Sequence, residues 1–250
     1  MDNLQNALFQ FCLRQGDTHL ILGHRLSEMC SRGPTLEEDI ALTNLALDHI
    51  GQAEAFLRLA AETEGRGRTE DDLSYLRSVD EFCNAVLAEQ PNTDFAYVVA
   101  RQFFLDVYQC LLYQRLQNSS DPTLAGMGAR FLKEVVYHQR HSAAWVERLG
   151  QGTTESHRRI QTAVNELWRY TPELLSTQPW EAALIEKGFI PDTREIALEW
   201  TVQVIRVFSR AGLRRPEDPP TASYAGHSDH LAHILAEMQY LPRTYPDAKW

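Results

Sequence analysis

Little in this 250-residue sequence favours a β-sheet, a membrane or a nucleic acid. Runs that alternate apolar and polar residues, the mark of half-buried strands, are nearly absent. No apolar run reaches the roughly 20 residues that a bilayer-spanning helix needs. Basic residues are in deficit: 24 Lys and Arg stand against 34 Asp and Glu. The resulting formal charge of −10 argues against a nucleic-acid footprint or an anionic membrane patch. Cysteine is sparse. Cys12, Cys30, Cys83 and Cys110 lie far apart with no Cys-x-x-Cys pair, so buried thiols in a reducing compartment are expected, not disulfides or a zinc site. The opening MDNLQNALFQ has neither the basic start nor the cleavage site of a signal peptide, and a cytoplasmic location is expected. Also missing are G-x-S-x-G, G-x-G-x-x-G and Walker A patterns, which leaves nucleophile-elbow, Rossmann and P-loop chemistry unsupported.

What is present is helix punctuation along the whole chain. Asp17 is a candidate cap for a first helix through Leu20, Leu22, Leu26 and Met29, stopping at Gly33-Pro34. Thr35 with Glu38 forms a capping box for a second, whose apolar positions run from Ile40 through Leu45, Leu47, Phe56 and Leu57 to Gly65. Asn92 or Thr93 is expected to start a third, rich in aromatics at Phe95, Phe103, Phe104 and Tyr108. Asp121-Pro122, a cap followed by proline at the first helical position, opens a fourth that ends near Gly150. Shorter helices are expected at about 154–169, 172–187, 193–212 and 229–241, with a loop at 216–220. Four long antiparallel helices over residues 17 to 150, no fixed-period repeat and uniform composition predict an all-α four-helix bundle with additional C-terminal helices. The expected organisation is one domain over 1–250.

Chemistry is harder to find. A ferritin-like di-iron site needs a Glu from each of two helices and a Glu-x-x-His pair from each of the other two, because carboxylates bridge and neutralise the metals. No Glu or Asp in this chain has a His three residues later; Glu134 meets Tyr137 there, Asp48 meets Gly51 and Asp106 meets Gln109. His138 and His141 sit one turn apart without a carboxylate beside them, so a hydrogen-bonded core His and a surface His outweigh a shared metal. His227, His230 and His233 drift around a helix start, where a surface cluster outweighs zinc. Asp106, inside FFLDVY, is expected to be buried in a structural salt bridge. Glu28 is either a similar buried acid or an exposed helix-face charge. Gly65-Arg66-Gly67-Arg68 reads as a solvated basic loop, ahead of a phosphate contact. The aromatic stripe of the third helix reads as core.

Together and in order, RLSEMC (25–30), LALDHIGQAEAFLRLAAE (45–62), AEQPNTDFA (88–96), ARQFFLD (100–106), KEVVYH with WVERLG (133–150), LAEMQYL (235–241) and Trp250 make the chain resemble one family. These are the C subunits of bacterial phenylacetyl-CoA epoxidases, multicomponent oxygenases of aerobic phenylacetate degradation. The resemblance covers nearly the whole length. It implies a ferritin-like fold and an iron-free structural subunit that pairs with a related di-iron catalytic subunit. That subunit epoxidises the ring of the CoA thioester with oxygen and electrons from a reductase subunit, alongside a further small subunit. The catalytic relatives carry Lys-Glu-Glu-x-x-His-Gln-Arg in the last core helix. Here the run is Lys133-Glu134-Val135-Val136-Tyr137-His138-Gln139-Arg140, so the ligand Glu falls on Val135 and the ligand His on His138. No catalytic, cofactor-binding or metal role therefore carries over. His138 is expected to face the interior and to bond a buried acid, with Asp48, Asp106 and Glu134 as candidates. Two other readings stand beside this one. One is a free-standing metallo-oxygenase using His138, His141 and the 227–233 cluster. The other is a helical adaptor for an acyl-CoA or a protein. A homo-oligomer of the isolated chain is open.

Overall fold

The computed structural model describes residues 1–217, 226–246 and 248. Trp250 and most of the 216–220 loop lie outside the described residues. Among the described residues no strand forms, as expected of an all-α chain. The α-helices are α1 (Asn3–Ser27), α2 (Leu36–Glu64), α3 (Glu70–Tyr75), α4 (Val86–Glu89), α5 (Phe95–Leu116), α6 (Pro122–Gln151), α7 (Thr154–Leu167), α8 (Thr171–Leu174), α9 (Glu181–Glu186), α10 (Thr193–Ala211), α11 (Asp229–Met238) and α12 (Tyr240–Thr244). They sort into two compact units, Met1–Pro91 with Tyr224–Trp250, and Asn92–Ser223.

The first unit is built on the α1–α2 hairpin. Its first helix begins at residue 3, not at 17, because Asp2 caps it in a reciprocal box with Gln5. Asp17 is therefore no cap. It sits fully buried in mid-helix, bound by Arg77 at 3.0 Å and accepting from the Cys83 backbone N–H at 2.9 Å. The helix also stops short of Gly33-Pro34, at Ser27. Thr35 caps α2 as expected, through the Glu38 N–H, and Gly65 closes it in the left-handed region at φ 67°. The two helices cross closely at Gly16, where a β-carbon would come within 2.7 Å of the Leu57 side chain. Leu45, Phe56 and Leu57 are buried, whereas Ile40 and Leu47 of the same apolar series are exposed. The C-terminal helices return to this unit. Gln239 Nε2 donates to the Arg77 carbonyl at 2.9 Å, and so does Arg243 Nη2.

The second unit is built on the α5–α6 hairpin. Asp94, rather than Asn92 or Thr93, caps α5 by accepting from the Tyr97 N–H at 2.8 Å. Asp121 caps α6 ahead of Pro122, as the sequence implies. The aromatic stripe of α5 is core: Phe103 and Phe104 are fully buried, and Phe104 packs against Trp168, Trp200 and Phe208. Trp200 adds an indole N–H bond to the Phe104 carbonyl, 2.9 Å. A single helix over 172–187 does not form. It splits into α8 and α9 around 176–179, since proline, here Pro179, disfavours helical backbone in the residue before it.

Candidate functional site

The register of α6 decides what KEVVYHQR presents to the interior. Residues three or four apart share a face, so Val135, His138 and Ser142 point inward while Val136, Tyr137 and Arg140 are exposed. Val135 and His138 are fully buried, as expected. From α5 comes Asp106, also fully buried, one turn after Gln102. Gln102 Nε2 donates to it at 2.6 Å and Ser142 Oγ at 2.7 Å. Burial pushes this carboxyl up to about 6; the electrostatic pull of His138 and the two hydrogen bonds hold it back from rising further. Of the three acids considered for His138, Asp106 is fully buried and feels its charge, while Glu134 and Asp48 are half-exposed. The salt bridge expected for Asp106 is replaced by neutral donors with an imidazole beside them.

The first unit has a buried imidazole in an equivalent setting, one that a search for an acid three residues before His passes over. His49 of α2 is fully buried, and the residue three before it is Ala46. His19 of α1 faces it, the two Nδ1 atoms 2.9 Å apart, and stacks on Phe56 with centroids 6.1 Å apart. The available signal was the spacing itself: Ala46 to His49 repeats Val135 to His138, a small or branched apolar residue three before a buried His on the second helix of a hairpin. Neither hairpin therefore offers the carboxylate of a Glu-x-x-His pair. Asp106, His138 and the His19–His49 pair do not match the donor set of a carboxylate-bridged di-iron centre, so no step through iron follows from them.

The remaining candidates resolve into structural roles. His141 is half-exposed and stacks on Tyr137, 6.1 Å between centroids. His227 precedes α11 and lies apart in function from His230 and His233. Its Nδ1 meets the fully buried Glu89 carboxylate at 2.5 Å and its Nε2 the Phe82 carbonyl at 2.8 Å. Ser228 adds two bonds to the same carboxylate, from N at 2.7 Å and from Oγ at 2.6 Å. Burial alone would lower the His227 pKa, but the bond to Glu89, the Phe82 carbonyl and the charges of Glu89 and Asp17 together raise it above its usual value. Among the described residues, neither His141 nor the 227–233 histidines join a group of three or more potential ligands converging on one point.

Arg68 pairs with Glu64 at 2.6 Å and Arg66 approaches it at 3.6 Å, so the basic loop is anchored on its own helix. Glu28 lies at the end of α1 and pairs with Arg25 at 2.9 Å. Cys12 and Cys110 are buried as expected, but Cys30 is exposed and Cys83 half-buried. Burial pushes the Cys83 and Cys110 thiols up to about 11, which makes both poor nucleophiles at neutral pH. No helix among the described residues is long and apolar enough to cross a membrane.

Two comparisons bear on this geometry. The sequence profile described as "Phenylacetic acid catabolic protein" matches residues 1–250. The chain is also similar to the C subunit of the 1,2-phenylacetyl-CoA epoxidase of Escherichia coli strain K12, at 43% identity over 248 residues, covering 98% of this chain and 100% of the relative.

Proposed function

Since the chain belongs to the phenylacetic acid catabolic protein family, we propose that it is a structural, iron-free subunit of a phenylacetyl-CoA epoxidase. In this reading it pairs with the di-iron catalytic subunit and stabilises it. The small and reductase subunits make up the rest of the complex, and the substrate is the CoA thioester of phenylacetate. The single ferritin-like domain over 1–250 and a cytoplasmic location are parts of the same proposal. One observation carries it: the position three before each buried hairpin imidazole is Gly16, Ala46 or Val135, not Glu. A ligand set for two irons needs four carboxylates and two imidazoles placed together, and the Glu-x-x-His half of that set is absent from the sequence. His19, Asp106, Gln102 and Ser142 then serve to satisfy buried polar groups, which interiors require.

The test is metal analysis and an oxygen-consumption assay, on the isolated chain and on the chain mixed with the other subunits. The expected result is no stoichiometric iron and no reductant-dependent turnover alone, a stable complex with the di-iron subunit, and turnover once all subunits are present. Two irons per isolated chain would instead favour a free-standing metallo-oxygenase. Purification from the native host without a di-iron partner would favour the adaptor.

A further inference from the structure

A cavity of about 530 Å³ opens in the first unit, where the end of α1, α3 and the C-terminal helices α11 and α12 meet. That volume falls within the range of small-ligand sites, which combine apolar walls with a few polar groups. Tyr75, Met238, Leu241 and Tyr245 supply the apolar walls. Three acids, Asp71, Asp72 and Glu237, share the lining, and among the described residues no Lys or Arg does. Arg243, on α12, donates to the Arg77 carbonyl at 2.9 Å, and Arg68, which feels Asp72, pairs with Glu64 at 2.6 Å. Asp71 and Glu237 are exposed and make no ion pair among the described residues. Asp72 caps α3 through Oδ2, and its second oxygen keeps acceptor capacity.

Tyr75 stands beside Asp71: burial first, then that charge, raises its hydroxyl pKa. An aromatic ring next to a carboxylate attracts cations, through the ring quadrupole and the opposite charge together. His24 completes the lining. Its Nε2 is buried and has no hydrogen-bond partner among the described residues, an exception among buried polar atoms. Burial lowers the pKa of this imidazole against the opposing pull of Glu28, which favours the neutral ring. In the Nδ1–H tautomer, Nε2 is an acceptor for a ligand's N–H.

We propose that this cavity binds a small organic cation, an ammonium or guanidinium group carried on an apolar body. The body packs against Tyr75, Met238 and Leu241, the charge meets Asp71 and Glu237, and one N–H donates to His24 Nε2. The charge of the lining selects this class. A phosphate or carboxylate ligand, the CoA thioester of the proposed complex included, would face three carboxylates and no lining cation. A hydrocarbon would leave His24 Nε2 without a donor. This inference goes beyond the structural role proposed above and does not depend on it.

The experiment is isothermal titration calorimetry on the purified full chain with three probes: protonated phenylbutylamine, phenylbutanol and phenylvalerate. They carry a cation, a hydroxyl and a carboxylate on one apolar body. The amine should bind, the alcohol about tenfold more weakly, and the carboxylate more weakly still. Added salt should weaken the amine and leave the alcohol unchanged, because the exposed carboxylates are screened. The ring nitrogen-15 signals of His24 should move when the amine is added. Asp71→Asn and Glu237→Gln alter exposed positions, so the fold should survive, which far-UV circular dichroism checks. Each should weaken the amine severalfold and leave the alcohol as it was. Leu241→Lys places a tethered cation at the cavity and should abolish amine binding. A chain that binds none of the probes would overturn the proposal. So would equal binding of all three, or variants that bind the amine like the wild type. Binding of an arginine-bearing peptide without binding of the amine would overturn it by assigning the cavity to a protein partner.

Discussion

Within its own unit, each hairpin gives its buried imidazole a different partner. In the first unit His49 meets another imidazole, His19, and that unit also buries the Asp17–Arg77 ion pair. In the second unit His138 sits in the field of Asp106, a carboxyl held by two neutral donors and pushed up to about 6. One interior gives its acid a permanent cation, and the other can take up or release a proton near neutral pH. The difference shows that the same helical register, an imidazole three residues after an apolar side chain, does not dictate its own polar environment. The facing helix does. Position 19 of α1 supplies a ring and position 106 of α5 supplies an acid.

The comparison breaks most severely at the permanent pair. Arg77→Ala leaves Asp17 buried without its cation and should cost about 3–5 kcal/mol in chemical denaturation, whereas loss of the exposed Arg158–Glu155 pair should cost far less. The second unit should show itself through pH. Asp106 binds its proton more tightly folded than unfolded, so its contribution to stability falls as pH rises from about 4 through about 6 and is level above that. The span corresponds to about 3 kcal/mol at one pKa unit per 1.36 kcal/mol. Denaturation series at several pH values should show this slope in the wild type, and Asp106→Asn should flatten it.

A smaller effect of opposite cause belongs to the first unit. His227 has a raised pKa when folded, so its pairing with Glu89 is fully present below the unfolded value near 6.5 and is lost as pH rises through the raised one. Amide exchange in α11 should therefore quicken on the alkaline side. His227→Ala should abolish that pH dependence at a cost of about 1–3 kcal/mol, the penalty for leaving a buried carboxylate short of a donor. The smallest expected effect is on chemistry. Val135→Glu alone should yield neither two bound irons nor oxygenase turnover, because Ala46 leaves the other hairpin without its carboxylate; metal analysis of the purified variant checks it.

Much of this was legible in the sequence where local chemistry decides the outcome. Thr35 and Asp121-Pro122 cap helices as local hydrogen bonding dictates, and Gly65 ends one because it tolerates the left-handed turn. Asp17 was not legible, because an acid near the start of an apolar run looks like a cap unless its distant cation is known. Arg77 is 60 residues away. Asp106 could be placed in the interior from its apolar neighbours, yet its donors came from one turn earlier and from another helix, and only the second required the fold. His19 and His49 escaped for the same reason: each is unremarkable on its own helix, and the pairing exists only once α1 lies against α2. Exposure of Leu198 and Val202 also follows from which face of α10 the chain covers, which periodicity alone does not rank.

The contact between His19 and His49 has a consequence for where protons reside. Two Nδ1 atoms 2.9 Å apart can share only one hydrogen. One ring must therefore carry its proton on Nδ1 and donate, while the other accepts and is the Nε2–H tautomer. The two imidazoles are consequently different molecules electronically, despite identical side chains. Nitrogen-15 spectra of the ring atoms should resolve them as one δ-protonated and one ε-protonated species.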